Sequence, residues 1–111
     1  MTVLHCVGHT ALPASTWTLV VDGDQVGTTR VESMWFCNLD VAADIDIAVA
    51  FLRAGQSLVA GSPPTKSIIF FSEQVNRNTT EIKGAAFGLL PGDRIYAWAN
   101  AALITVTVFG K

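Results

Sequence analysis

Apolar and polar residues alternate with a period of two along most of the chain. In "DIDIAVAF", Ile45, Ile47, Val49 and Phe51 fall on one face, and Asp44, Asp46, Ala48 and Ala50 on the other. Successive strand side chains point to opposite faces, so this run reads as a strand with one dry and one wet side. A helix would scatter the four large residues around its circumference, and their β-branching also favours a strand. The same alternation places Ile104, Val106 and Val108 opposite Thr105 and Thr107, and Ile95, Ala97 and Ala99 opposite Tyr96 and Trp98. The short break Asn100–Ala102 between those two runs fits a hairpin turn. Thr28–Asn38 is a long strand that begins polar and becomes apolar on both faces from Met34 to Cys37, as expected near the middle of a packed sheet.

Trp17–Val21, Ser67–Ser72 and Thr79–Phe87 are shorter strand candidates, the last with Gly84 at a bulge. Turn-forming stretches separate them: "DGDQVG", "NLDVAAD", "GSPPT", "NRN" and "LPGD". Residues 50–61 read equally as a loop or a short helical turn. Many short strands with frequent turns and no long amphipathic helix define an all-β fold, an antiparallel β-sandwich or jelly roll. Its expected core contains Ile45, Ile47, Val49, Ile104, Val106 and Val108. The division expected is an extended N-terminal arm over 1–12 and a single domain over 13–111.

Composition adds an interface to this picture. Charged residues make up 14% of the chain and hydrophobic ones 50%, against about 25% charged in ordinary soluble domains. So few charges cannot cover the large surface of a small domain, and exposed apolar patches mark interfaces. Self-association is therefore expected, with a monomer coated in Thr, Ser, Asn and Ala as the alternative. A net charge of −2 offers no basis for holding nucleic acid through its phosphates. The apolar runs fall far short of the ~20 residues a membrane span requires. The N-terminus "MTVLHCVGHT" lacks the basic start and long apolar stretch of a secretory signal, so synthesis in a cytosol is expected. Cys6 and Cys37 are accordingly expected to be free thiols rather than a disulfide.

The search for chemistry yields little. His5 and His9 flank Cys6, but a metal site needs three or four convergent ligands, so no metal or other cofactor is expected. The pairs Asp22/Asp24 and Asp44/Asp46 lack the further oxygen ligands of a calcium loop. No nucleophile elbow, phosphate loop or dinucleotide fingerprint occurs, and no enzyme activity is expected. Trp17, Trp35 and Trp98 suit a sugar-binding platform, with core or interface burial as the competing reading for residues of such large area.

One set of stretches resembles a known group. "PAST" at Pro13, "TTRVESMWFCN" at Thr28, "ADIDIAVAF" at Ala43 and "GLLPGDRIYAWANAALITVTVFG" at Gly88 follow, in order, the recurring layout of small virion proteins of tailed bacteriophages. The resemblance covers most of residues 13–110, and the closing stretch is its most specific part. The segments "DGDQVG" and "GSPPT" depart from the simplest version. The resemblance implies a β-sandwich with a structural role in the virion and no enzyme activity. The leading expectation is a homotrimeric capsid decoration, or cement, protein in contact with the major capsid protein. A tail, neck or fibre component is the alternative within the virion, and a small carbohydrate-binding module the alternative outside it. On the first reading, Trp17, Met34, Phe36 and Trp98 are the candidates for the subunit contact, with burial in the sandwich core as the alternative for the same residues, Phe36 above all. The arm, through Val3, Leu4, His5 and Val7, is the candidate for packing on a neighbouring subunit or capsid protein.

Overall fold

The computed structural model describes residues 4–111, with the side chains of all but 70–72 and 85. Eight strands follow in order: β1 (His5–Leu12), β2 (Thr18–Asp22), β3 (Thr29–Asn38), β4 (Ile45–Leu52), β5 (Ile68–Val75), β6 (Thr80–Leu89), β7 (Arg94–Ala99) and β8 (Ile104–Gly110). A one-turn helix, α1 (Gly23–Val26), and a 3-10 turn (Thr65–Ser67) lie between them. The strands form two four-stranded antiparallel sheets, ordered β1-β8-β3-β6 and β2-β7-β4-β5. Only β4 and β5 are consecutive strands that pair; every other connection crosses from one sheet to the other. This is the strand order of a double Greek-key jelly roll.

The alternation read from the sequence becomes the core. Ile45, Ile47 and Val49 from the second sheet meet Ile104, Val106 and Val108 from the first, all at 0–1% exposure, together with Val31, Leu89, Ile95 and Ala97. Phe51 packs against this cluster and meets the Phe87 ring edge-on at 4.9 Å. The wet face expected of β4 is dry beyond Asp46: Ala48, Ala50 and Leu52 are buried as well. Trp98 and Tyr96 stand beside Ala48 and Ala50 on the adjacent strand, and the 3-10 turn packs against β4 with Pro63 and Ser67 buried. Residues 53–64 form a loop rather than a helical turn.

Three expectations are corrected. The break Asn100–Ala102 is no hairpin: β7 pairs with β2 and β4, whereas β8 pairs with β1 and β3 in the other sheet. Alternation specifies that each strand has one buried face, and two strands facing one core from opposite sides satisfy it as well as a hairpin does. The arm of residues 1–12 is, from His5 to Leu12, a strand of the sandwich, registered on β8 from His5↔Gly110 to Leu12↔Ile104. It also seals the side where β1 approaches β2: a Cβ added to Gly8 would collide with the Val20 carbonyl. Met34 and Phe36, expected at a subunit contact, lie at 0% exposure among the largest core side chains.

The two ends of the sandwich are built differently. The connections β2–β3, β4–β5 and β6–β7 lie at one end, and β1–β2, β3–β4, β5–β6 and β7–β8 at the other. At the first, the Asp22 carboxylate caps α1 by accepting from the Asp24 N–H at 3.0 Å. Gly23 there approaches the Leu90 and Asp93 carbonyls so closely that no side chain would fit. At the second end, side-chain and backbone hydrogen bonds join the β3–β4, β5–β6 and β7–β8 connections.

Candidate interaction surface

The reversal at Met34 and Phe36 has a local cause. Between Val31 and Ser33 the pairing of β3 with both β6 and β8 slips, and a bulge of this kind turns subsequent side chains to the opposite face. Val31 and Met34 therefore both point inward, and Ser33, Trp35 and Cys37 point outward. Trp35 is 41% exposed. Its indole N–H donates to the Ser33 hydroxyl at 3.2 Å, and its ring meets that of Phe109 in a T-shaped contact at 5.4 Å.

The register extends this outer face across the sheet in three rows. Cys6, Phe109, Ser33 and Gly84 make one; His9, Thr107, Trp35 and Ile82 the next; Ala11, Thr105, Cys37 and Thr80 the third. None of the twelve is Asp, Glu, Lys or Arg. Within the middle row the His9 Nδ1 and the Thr107 hydroxyl share a hydrogen bond of 2.7 Å, while Ile82 is 56% exposed. Charge appears only past the bulge, where Glu32 bridges Arg30 at 3.0 Å and Lys111 at 3.7 Å. A partly apolar sheet face without Asp, Glu, Lys or Arg costs little to desolvate.

The remaining expected positions scatter. Trp98 lies half-buried on the outer face of the second sheet, beside Ala48. Trp17, half-buried, precedes β2. Leu4 and His5 are exposed at the start of β1, Val7 packs against the core, and Val3 lies outside the described residues. Of the four expected contact residues, Met34 and Phe36 share the core, while the pairing Thr18↔Ala97 sets Trp17 at the level of Trp98 on the second sheet. The structure assembles Trp35, Phe109 and Ile82, whose common face depends on the bulge. Cys6 and Cys37 are free thiols.

Among the described residues no group of three or more His, Cys, Asp or Glu is placed to hold a metal ion. No helix there is long and apolar enough to cross a membrane.

The fold and surface define an all-β chain, a sandwich of two antiparallel sheets with one uncharged outer face. No protein-family model matches the chain, and searches of curated proteins and of solved structures return no match.

Proposed function

We propose that this chain is a non-enzymatic structural subunit of a bacteriophage virion, a capsid decoration protein that reinforces the head by contacts between capsomers. The resemblance of its closing stretch to small virion proteins motivates the reading. The observation that carries it is the uncharged outer face around Trp35, Phe109 and Ile82 on a tightly packed sandwich. A surface of that kind suits permanent attachment, in which adhesion comes from shape and apolar area rather than from titratable groups. In this reading the subunit contact of a homotrimer uses that face in place of Met34 and Phe36. Closed three-fold symmetry would cover it without open-ended growth.

Two measurements test the proposal. Quantitative mass spectrometry of purified particles should find the chain at a copy number comparable with that of the major capsid protein. A few copies per particle would move it to the tail, neck or fibre, and its absence from particles would end the virion reading. Light scattering on the isolated protein at micromolar concentration should give a trimer mass. A monomer mass, unchanged on concentration, would remove the self-contact. The exposed Trp35 ring with the Ser33 and Thr107 hydroxyls nearby supports one other reading, a carbohydrate-binding module, which specific binding of the isolated chain to neutral glycans would select.

A further inference from the structure

The end of the sandwich formed by the β3–β4, β5–β6 and β7–β8 connections carries a second apolar patch. Leu39, Val41 and Leu103 are 56%, 73% and 58% exposed. The Leu39 N–H donates to the Leu103 carbonyl at 2.8 Å, so the two loops that bear them are joined. Leu103 also holds a left-handed backbone, φ 73°, which disfavours a branched side chain. A leucine kept there and pointed at solvent contributes little to its own core.

These loops are pre-organised. The buried Asn38 amide donates to the Ala43 and Val75 carbonyls at 3.0 and 3.1 Å. Asp40 accepts from the N–H groups of Ala42 and Ala43 at 2.8 and 3.2 Å. The Asn78 N–H reaches the Asp40 carbonyl at 2.9 Å, and the Arg77 N–H reaches the Asp44 carboxylate at 2.8 Å. Asn100 and Asp46 exchange two bonds of 3.0 Å each. The ordering cost that weakens most loop interactions is therefore met on folding.

Charge selects the occupant. Asp40 lies between Leu39 and Val41, and Asp44 and Asp46 follow at the start of β4, with Arg77 the single cation among those loops; Arg30, Arg53, Lys66, Arg94 and Lys111 lie toward the opposite end. An acidic rim opposes an anionic bilayer or a nucleic acid and complements a cationic protein surface. We propose that this tip docks end-on into an apolar socket on the capsid protein, rimmed by Lys or Arg, with Leu39, Val41 and Leu103 as anchors. The inference rests on the virion reading above and names the partner-facing end of the molecule.

The test uses particles of the phage that encodes this chain, assembled without it, and the full-length protein. Wild type should bind them saturably. Leu39→Ser with Val41→Ser, and separately Leu103→Gly, should weaken binding about tenfold or more while melting no lower than wild type. Val59→Ser, at an equally exposed position (70%) at the other end, should bind as wild type does. Asp44→Asn keeps the acceptor for Arg77 and should weaken binding severalfold with a shallower salt dependence. If wild type does not bind, the virion reading falls and takes this inference with it. If wild type binds and the tip variants bind equally well, the tip alone is overturned. An unchanged salt response in Asp44→Asn would overturn the cationic rim. Co-sedimentation of wild type with phosphatidylglycerol vesicles, abolished by the same tip changes, would assign the patch to a membrane instead and overturn the socket.

Discussion

Arg53 Nη1 donates to Asp93 Oδ2 at 3.1 Å, across a boundary at which the carboxylate side chain is 3% exposed and the guanidinium 59%. The aspartate is the anchored partner. It also accepts from the N–H groups of Ala54 at 3.0 Å and Leu90 at 2.9 Å, so one side chain ties the end of β4 to the turn before β7. Burial alone would raise its pKa; the two backbone N–H bonds and Arg53 outweigh it and hold the carboxyl below the ordinary value of 3.8. A group whose folded pKa is depressed contributes stability above its unfolded value, and loses it as pH falls through the folded one. Wild type should therefore lose stability as pH drops below 3.8. Asp93→Ala should cost about 1.5–3 kcal/mol at neutral pH by removing the charged acceptor of the Ala54 and Leu90 N–H groups and should flatten that acid dependence. Denaturant melts across the acid range would show both.

Arg53→Ala should cost far less. An exposed ion pair contributes about 0–1 kcal/mol, and the guanidinium over the Phe51 ring, 4.6 Å from its centroid, adds about 0.5–1 kcal/mol. Equal destabilisation by Arg53→Ala and Asp93→Ala would contradict the asymmetry.

Val106→Asp and Trp35→Ala form a contrasting pair. Val106 is 1% exposed in the core, and a carboxylate there has no partner, so soluble folding should be abolished. Trp35→Ala loses the edge contact with Phe109, worth about 0.5–1.5 kcal/mol, and some packing on the surface, and should remain folded. A Val106→Asp protein that melts within a degree or two of wild type would contradict the core assignment.

Leu103→Gly should hold or raise the melting temperature. The left-handed conformation costs an L-residue about 1–2 kcal/mol, most of which glycine avoids, offset by glycine's greater loss of chain entropy of about 0.5–1 kcal/mol. A marked fall in a thermal melt would mean that the leucine side chain supports the fold itself.

Removal of residues 1–12 should abolish the cooperative thermal transition, measured by circular dichroism. It strips β1 from the whole length of β8 and opens the side sealed at Gly8. A truncated chain with a wild-type melt would restore these residues to the status of an arm.

The core was legible wherever alternation ran uninterrupted, as at Ile45–Val49 and Ile104–Val108, because one buried face imposes a period of two. It was not legible through β3. Counting in twos from Val31 would place Trp35 and Cys37 inside and Met34 and Phe36 outside; the bulge reverses this, and the four consecutive apolar residues from Met34 carry no parity of their own. β1 was obscured by the register slip between Cys6 and Gly8, which breaks its alternation. The end-on patch was not legible because Leu39 and Val41 lie in the β3–β4 connection and Leu103 in the β7–β8 connection, which meet only once the sheets have crossed.

The registration of β1 on β8 joins the first strand to the last, with His5 opposite Gly110. During synthesis β1 would have no hydrogen-bonded strand partner until β8 had followed it. Pairing of such distant segments carries a large loop-closure cost and makes folding slow. β8 is also paired with β3, but the rows of its outer face run on to Cys6, His9 and Ala11 only once β1 has joined it. The outer face that spans β1, β8, β3 and β6 is thus complete only when segments at opposite ends of the strand sequence have met.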